Sequence, residues 1–304
     1  MRLELTVLGT ASQASTRDRS QGGYVLRWDD ELILFDPGEG SQRQLLFAGL
    51  SPAQVSRVCV THFHGDHCLG LPGLLQTRAL VTDRPIVLHH AAGSDVYVDH
   101  LLAGSVIDFD LHLVREPIHV GSPIVTPGFT LSCRALEHPT PAIGYRVEAP
   151  PARHLLPGRL DALGIHGADI GRLRRAGEIT SAGRTVTLDE VSETRSGPAA
   201  AFVMDSSPCD GARQLAAGAD LLICESTYLR RDVDLARRHG HMTAEDAGTL
   251  AAAAGVGLLV LSHFSGRYED PEEFAIEAGK WFQPVIAARD LCCIPLVARA
   301  HATD

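Results

Sequence analysis

Lysine, long apolar runs and a regular cysteine pattern are all missing or scarce in this chain of 304 residues. No apolar run is long enough to cross a bilayer, and runs such as 257–261 are only as long as a strand. The seven cysteines are odd in number and scattered, mostly within apolar runs, which indicates reduced core residues rather than a disulfide framework. The N-terminus also lacks the apolar stretch of a secretory signal. We therefore expect a cytoplasmic protein that does not associate with a membrane.

The charge balance limits the possible partners. The chain has 37 acidic and 27 basic residues, a net charge of −10, and Lys280 is the only lysine. This argues against non-specific binding of nucleic acid over the whole surface. A local arginine patch is not excluded, because arginine contacts phosphate in bidentate fashion.

The order of strand-like and helix-like segments predicts the fold class. Residues 24–28 and 31–35 flank Asp29-Asp30, which is typical of a hairpin. Two runs of alternating strands and helices follow, and they predict a layered α/β domain with helices outside its sheets. Residues 150–198 differ: they have few apolar runs and a nearly balanced charge, with seven arginines and six acids. We interpret them as a surface insertion.

The strongest motif is His62-Phe-His-Gly-Asp-His67, which places four ligand-type residues within six positions. It follows a predicted strand, and Gly65 allows a sharp turn. His62 and His64 can then bind one ion, while Asp66 and His67 face a second. A cluster of this kind has no evident purpose without a metal.

Three further ligand-type residues follow apolar, strand-like runs: His138, Asp205 and His263. Each histidine alone would more often be an ordinary surface residue, but strand ends gather at one edge of a sheet. Imidazole and carboxylate ligands without cysteine favour zinc, with manganese or iron as alternatives. Two ions with an open position between them would activate a water and stabilise both oxygens of an in-line displacement. The pattern therefore indicates a phosphodiester hydrolase.

Further segments accompany the histidine motif: Leu8-Gly-Thr10, 35–45, 61–74, Cys224-Glu-Ser-Thr-Tyr228, His241-Met-Thr243 and 262–268. The histidine motif resembles the signature of the metallo-β-lactamase superfamily. The further segments resemble its ribonuclease Z family, the endonucleases that trim the 3′ trailer from precursor tRNA, and this resemblance covers nearly the whole chain.

This resemblance implies an α/β fold, a four-layer αββα metallo-β-lactamase sandwich that spans 1–304 as a single domain and forms a homodimer. It implies two zinc ions per subunit and cleavage that leaves a 3′-hydroxyl on the tRNA. The implied first site consists of His62, His64, His138 and Asp205. The implied second site consists of Asp66, His67, Asp205 and His263.

The resemblance also implies catalytic roles. Asp66 is the family's proposed general base. His241, with Glu225 nearby, is the candidate that protonates the leaving 3′ oxygen. Asp36 has two interpretations of equal weight: it fixes the tautomer of a metal histidine from behind, or it stabilises the turn before Pro37-Gly38.

Residues 150–198 correspond to the family's flexible arm for tRNA. The arm would present Arg172, Arg174 and Arg175 to the tRNA backbone, which would reconcile an acidic protein with a nucleic-acid substrate. Many family members have a Gly-Pro pair near the tip of the arm, whereas residues 164–171 have none here.

Two alternatives share the fold. Another hydrolase of the superfamily, such as a general phosphodiesterase, an arylsulfatase-like enzyme or a lactonase, would have the same ligands but need neither the arm nor residues 38–45. A non-catalytic RNA-binding protein would be expected to lose ligands, and this chain keeps all of the implied ones.

Overall fold

The computed structural model describes residues 2–181 and 183–297, and the chain divides into two compact units. The first unit contains the described residues up to Glu148 and from Pro198 onwards, and the second contains Ala149–Gly197. Within the described residues no helix is both long and apolar enough to span a membrane.

The strands are β1 Leu3–Gly9, β2 Gly23–Trp28, β3 Glu31–Phe35, β4 Val55–Cys59, β5 Ile86–His89, β6 Leu113–Arg115, β7 Ile124–Val125, β8 Thr130–Leu136, β9 Ala142–Glu148, β10 Ala152–Leu155, β11 Glu178–Ser181, β12 Arg184–Thr187, β13 Ser192–Arg195, β14 Ala199–Val203, β15 Leu221–Glu225, β16 Leu258–Ser262, β17 Val285–Ala287 and β18 Cys293–Pro295. The α helices are α1 Ser41–Phe47, α2 Gly65–Cys68, α3 Gly70–Ala79, α4 Asp95–Ala103, α5 Pro157–Ala162, α6 Ala168–Ala176, α7 Asp210–Ala216, α8 Val233–His239, α9 Ala244–Ala254 and α10 Glu272–Ala278.

Two mixed sheets form the first unit. The strand order of one sheet is β18-β1-β2-β3-β4-β5-β6, and that of the other is β17-β16-β15-β14-β9-β8-β7. In each sheet one half is antiparallel and the other parallel. The central parallel strands β14 and β15 are buried throughout, as expected of continuous apolar runs that are covered on both faces. The predicted hairpin is confirmed as β2 and β3.

The sheets face each other through aromatic side chains, and the helices cover their outer faces. Phe35 on β3 stacks on Phe202 on β14 with ring centroids 3.7 Å apart, and Tyr145 on β9 meets Phe35 edge-on at 5.8 Å. Outside the first sheet, apolar residues of α1, α3 and α4 pack in one cluster. Outside the second sheet, α7, α9 and α10 do the same. The predicted αββα architecture is therefore confirmed.

The second unit has its own small core. β10 and β13 pair as antiparallel strands near its two ends, and β11 and β12 form a hairpin. Leu160 of α5 and Leu173 of α6 pack with Val186 of β12 in one buried apolar cluster. The single-domain assignment and the arm interpretation of 150–198 stay predictions.

Candidate metal centre

The candidate ligands converge because each follows a strand at the same edge of the sandwich. His62–His67 come after β4, His138 after β8, Asp205 after β14 and His263 after β16. The structure brings all the predicted metal-site residues together in two adjoining groups. The position of these residues just after strands therefore agrees with the prediction from the sequence.

The first group is His62, His64, His138 and Asp205, whose potential ligand atoms all lie within 4.8 Å of one another. His64 Nδ1 is 3.0 Å from His62 Nε2 and 3.3 Å from His138 Nε2. Asp205 Oδ2 is 3.6 Å from His62 Nε2 and 3.8 Å from His138 Nε2. Three nitrogens and one carboxylate oxygen thus surround one point.

The second group is Asp66, His67 and His263. Asp66 Oδ2 lies 3.3 Å from Nε2 of both histidines. Asp205 Oδ1 lies 3.2 Å from the same two nitrogens. The carboxylate of Asp205 therefore lies between the two groups, with one oxygen towards each.

Hydrogen bonds behind the rings fix which nitrogen of each histidine faces the centre. Asp36 Oδ2 is 2.8 Å from Nδ1 of His67, so that nitrogen donates and Nε2 keeps its lone pair. Thr61 has one hydroxyl hydrogen and donates it to Asp36 at 2.7 Å. The Thr61 oxygen, 3.1 Å from His62 Nδ1, must then accept from that ring. These tautomers are assigned from the hydrogen-bond network.

The same arrangement recurs on the other sheet. Thr227 donates its hydroxyl hydrogen to Glu225 at 2.7 Å, and therefore accepts from His263 Nδ1 at 2.9 Å. His138 Nδ1 donates to the carbonyl of Gly240 at 3.0 Å. Four histidines thus present an unprotonated Nε2 to the centre, which is the form that binds a metal.

The electrostatics of the centre favour a cation. Burial opposes a positive charge on His67, but Asp205 and Asp36 outweigh it and raise the pKa of His67 well above its usual range. Burial also opposes ionisation of Asp205, yet His263 and His67 hold its pKa well below the usual range. Burial keeps His62 neutral by lowering its pKa. The carboxylates therefore stabilise positive charge here, which either a proton or a metal can supply.

A divalent metal fits these residues. Within the described chain, two buried atoms at the centre lack a hydrogen-bond partner, His67 Nε2 and Asp205 Oδ1. A native protein rarely leaves such atoms unpaired, and a cation between them would satisfy both. The donor set, imidazole nitrogens with carboxylate oxygens and no cysteine, suits zinc, manganese or iron.

The structure places His241 beside Glu225, as predicted for the catalytic pair. His241 Nδ1 is 2.9 Å from Glu225 Oε1, and Glu225 also accepts from the backbone N–H groups of Ser206 and Thr227. Burial opposes protonation of His241, but the Glu225 carboxylate prevails and raises its pKa to about 9. The imidazole is thus charged near neutral pH and able to donate a proton.

His241 also lies close enough to Asp205 and His263 to form a third possible ligand group. Its Nδ1 is 4.0 Å from Asp205 Oδ2 but 2.9 Å from Glu225. The shorter contact engages that nitrogen with Glu225, which favours the proton-donor role over ligation.

An open cavity of about 560 Å³ exposes this centre to solvent. Its lining includes His64, Asp66 and His241, together with Tyr228 and Arg238. Arg238 is exposed, and within the described residues no carboxylate pairs with it. The cavity therefore offers metal-site residues, a proton donor and a free cation to an anionic substrate.

The arm arginines differ in their surroundings. Arg172 pairs with Asp169 on the same helix, α6. Arg174 and Arg175 are exposed on α6, and neither has an ion-pair partner in the part of the chain that the structure describes. Their contact with tRNA stays a prediction.

Sequence reasoning gave no role to Thr61, Thr227 and Gly240, which orient histidines. Thr61 directly precedes the histidine motif, and Thr227 lies within a quoted motif, so position alone was a usable signal. The carbonyl of Gly240 has no side-chain signature. The Asp36 carboxylate contacts His67, as the first interpretation predicts, and the Asp36 backbone has a φ of 48° just before Pro37.

Proteins with similar sequences and folds identify the family of this chain. The family model for the metallo-beta-lactamase superfamily matches residues 23–199. Ribonuclease Z of Nocardia farcinica is 48% identical over 97% of this chain and 98% of its own, and that of Chlamydia caviae is 41% identical over 96% of each. Among solved structures, the short form of human tRNase Z aligns with a TM-score of 0.69 at 26% identity, covering 97% of this chain and all of its own.

The chain is a member of the metallo-β-lactamase superfamily, and its two facing sheets with outer helices have the fold of that class. Within the superfamily it belongs to the ribonuclease Z family. The resemblance stated from the sequence is thereby confirmed, and divalent-metal use follows from the family and the ligand groups.

Proposed function

We propose that this protein is an endoribonuclease that removes the 3′ trailer from precursor tRNA by hydrolysing one phosphodiester bond. The tRNA product ends in a 3′-hydroxyl. The observation that supports this most is one cavity lined by members of both ligand groups and by His241, which pairs with the buried Glu225. Relatives named ribonuclease Z over nearly the full chain indicate the substrate.

We further propose two zinc ions per subunit, with manganese or iron as alternatives. His62, His64, His138 and Asp205 would hold one, and Asp66, His67, His263 and the second oxygen of Asp205 the other. Bound cations of this kind lower the pKa of water and balance charge that develops on a phosphate.

Asp66 is the proposed base. Burial opposes its ionisation, but the neighbouring imidazoles of His263 and His67 keep its pKa well below the usual range. The carboxylate therefore stays anionic at working pH, and it lines the cavity. An anion in that position orients a water by accepting its hydrogen bond, and draws off the proton as the bond to phosphorus forms.

His241 is the proposed acid for the leaving 3′ oxygen. Glu225 accepts a hydrogen bond from Nδ1 of His241 and stabilises the charged ring, so Nε2 is the nitrogen that can give up its proton. Glu225 is itself fully buried and has four hydrogen-bond donors. Because that shell fixes the carboxylate, the imidazole is oriented before substrate arrives.

Substrate binding is proposed to use arginine on both units. Arg238 in the cavity wall would contact the backbone near the scissile phosphate, while Arg172, Arg174 and Arg175 of the arm would contact the tRNA body. We also propose a homodimer that acts in the cytoplasm, where precursor tRNA is its partner.

The test compares two substrates on the zinc-loaded enzyme: a 3′-extended tRNA and a small chromogenic phosphodiester. Specific removal of the trailer at the end of the acceptor stem is expected, and His64→Ala should abolish it by opening the first ligand group. Cleavage of the small ester without cleavage of the tRNA would instead support a general phosphodiesterase.

A further inference from the structure

His241 belongs to a three-residue segment, 240–242, between two helix ends. Helix α8 ends at His239, and Thr243 is the N-cap of α9. The His241 N–H donates to the carbonyl of Ala236 at 2.9 Å, and the His241 carbonyl accepts from Arg237 Nη1 at 3.2 Å. Both polar groups of its backbone are therefore fixed, one by the helix and one by a side chain.

Asp246 anchors the arginine that makes this contact. Arg237 Nη2 is 2.7 and 2.9 Å from the two carboxylate oxygens of Asp246. Asp246 also accepts from the N–H of Thr243 at 2.9 Å and from its hydroxyl at 2.7 Å; it is the third residue of α9 and forms a capping box with Thr243. The cap immobilises the carboxylate, so the ion pair does not depend on two freely rotating side chains.

The neighbouring residue shows how little room the segment has. Gly240 has a φ of 73°, and a Cβ there would lie 2.5 Å from Pro139 Cδ. Its carbonyl accepts from His138 Nδ1. A displaced backbone would therefore move both the candidate acid and the orientation of a candidate metal ligand.

We propose that Arg237, braced by Asp246, is a positioning residue for His241. The guanidinium links the first turn of α9 to the His241 carbonyl and sets the distance of the imidazole from the scissile bond. This inference rests on the proposed acid role of His241. Misplacement of a catalytic group by about 1 Å can cost on the order of 10²-fold in rate.

A double-mutant cycle on the zinc-loaded full-length enzyme tests this inference. Arg237→Gln is made alone and together with His241→Ala, and single-turnover cleavage of a 3′-extended tRNA is measured. Arg237→Gln alone should slow cleavage about 10- to 100-fold with little change in KM and with metal content retained. In the His241→Ala background the same change should have almost no further effect, because the group it positions is gone.

Arg230→Gln is the matched control. Arg230 Nε is 3.4 Å from Glu245, one residue before Asp246, and within the described residues Arg230 has no hydrogen bond or ion pair with the candidate centre. Arg230→Gln should therefore cleave at nearly the wild-type rate. Arg237→Lys, which keeps the charge beside Asp246, should be faster than Arg237→Gln. If Arg237→Gln does not fold, Arg237→Lys takes its place in the cycle.

The outcomes separate the two ideas. If His241→Ala cleaves at the wild-type rate, the proposed acid role fails. If His241→Ala is slow but Arg237→Gln slows the wild type and His241→Ala equally, or slows neither, the positioning role of Arg237 is refuted and the acid role of His241 stands. Loss of metal in step with rate in Arg237→Gln would also refute it, because the effect would then pass through His138.

Discussion

Thr227→Val tests the tautomer assignment, because valine has a similar shape but no hydroxyl. In the native site the hydroxyl donates to Glu225 and accepts from His263 Nδ1, and the His263 ring is buried. Its removal leaves a buried N–H without an acceptor, at a cost of about 1–3 kcal/mol in the free energy of unfolding. The neutral His263 ring can then carry its hydrogen on Nε2 instead of Nδ1. Loss of such an orienting contact typically weakens metal binding about 10- to 100-fold.

The measurement is zinc affinity by competition with a chromogenic chelator, resolved into successive binding steps. Only one step should weaken in Thr227→Val, since His263 belongs to the second group while the first keeps its own acceptors. Thr227→Ser, which retains the hydroxyl, should bind zinc like wild type. Unchanged affinity for every zinc ion in Thr227→Val would refute the reasoning, as would equal weakening in both variants.

Three further results are expected. Asp66→Ala should lose both metal and rate, whereas His241→Ala should keep its metal by elemental analysis and lose about 10²–10⁴-fold in rate; equal metal loss in the two would contradict the proton-donor role. Arg238→Gln should raise KM for pre-tRNA. If Arg238 neutralises one phosphate, the log–log slope of binding against salt should also become shallower by up to about 0.9. Arg84→Gln, which changes an exposed arginine outside the cavity, is the control and should have no effect. Replacing 157–184 by a short Gly-Ser linker should preserve cleavage of a small phosphodiester and sharply weaken binding of pre-tRNA; binding as tight as wild type with the same salt slope would make the arm structural.

The sequence predicted the architecture and the positions of the ligand groups because both depend on local signals. Apolar runs such as 199–203 and 258–262 are buried strands, and a ligand-type residue after such a run lies at the sheet edge. The spacing within 62–67 is equally local. What brings Asp205 between the two groups is the pairing of β14 with β9 and β15, which no short pattern encodes.

The orienting shell was less predictable, for a physical reason. A threonine hydroxyl is small and common, and its role depends on which acceptor takes its single hydrogen. At Thr61 that acceptor is Asp36, which follows a different strand, and at Thr227 it is Glu225, two residues earlier in the same segment. Both carboxylates are buried. Only the folded chain shows that each hydroxyl is forced to accept from a histidine.

Asp36 and Glu225 thus have corresponding positions on the two sheets. Each follows or ends a strand, is fully buried, and meets a threonine hydroxyl as well as a histidine Nδ1. The consequences differ because their histidines differ. His67 presents Nε2 to the metal-site residues, so the charge of Asp36 strengthens a ligand. His241 lies at the cavity wall, so the same kind of charge retains a proton for transfer. One local device, a buried carboxylate behind an imidazole, therefore supports metal binding on one sheet and proton donation on the other.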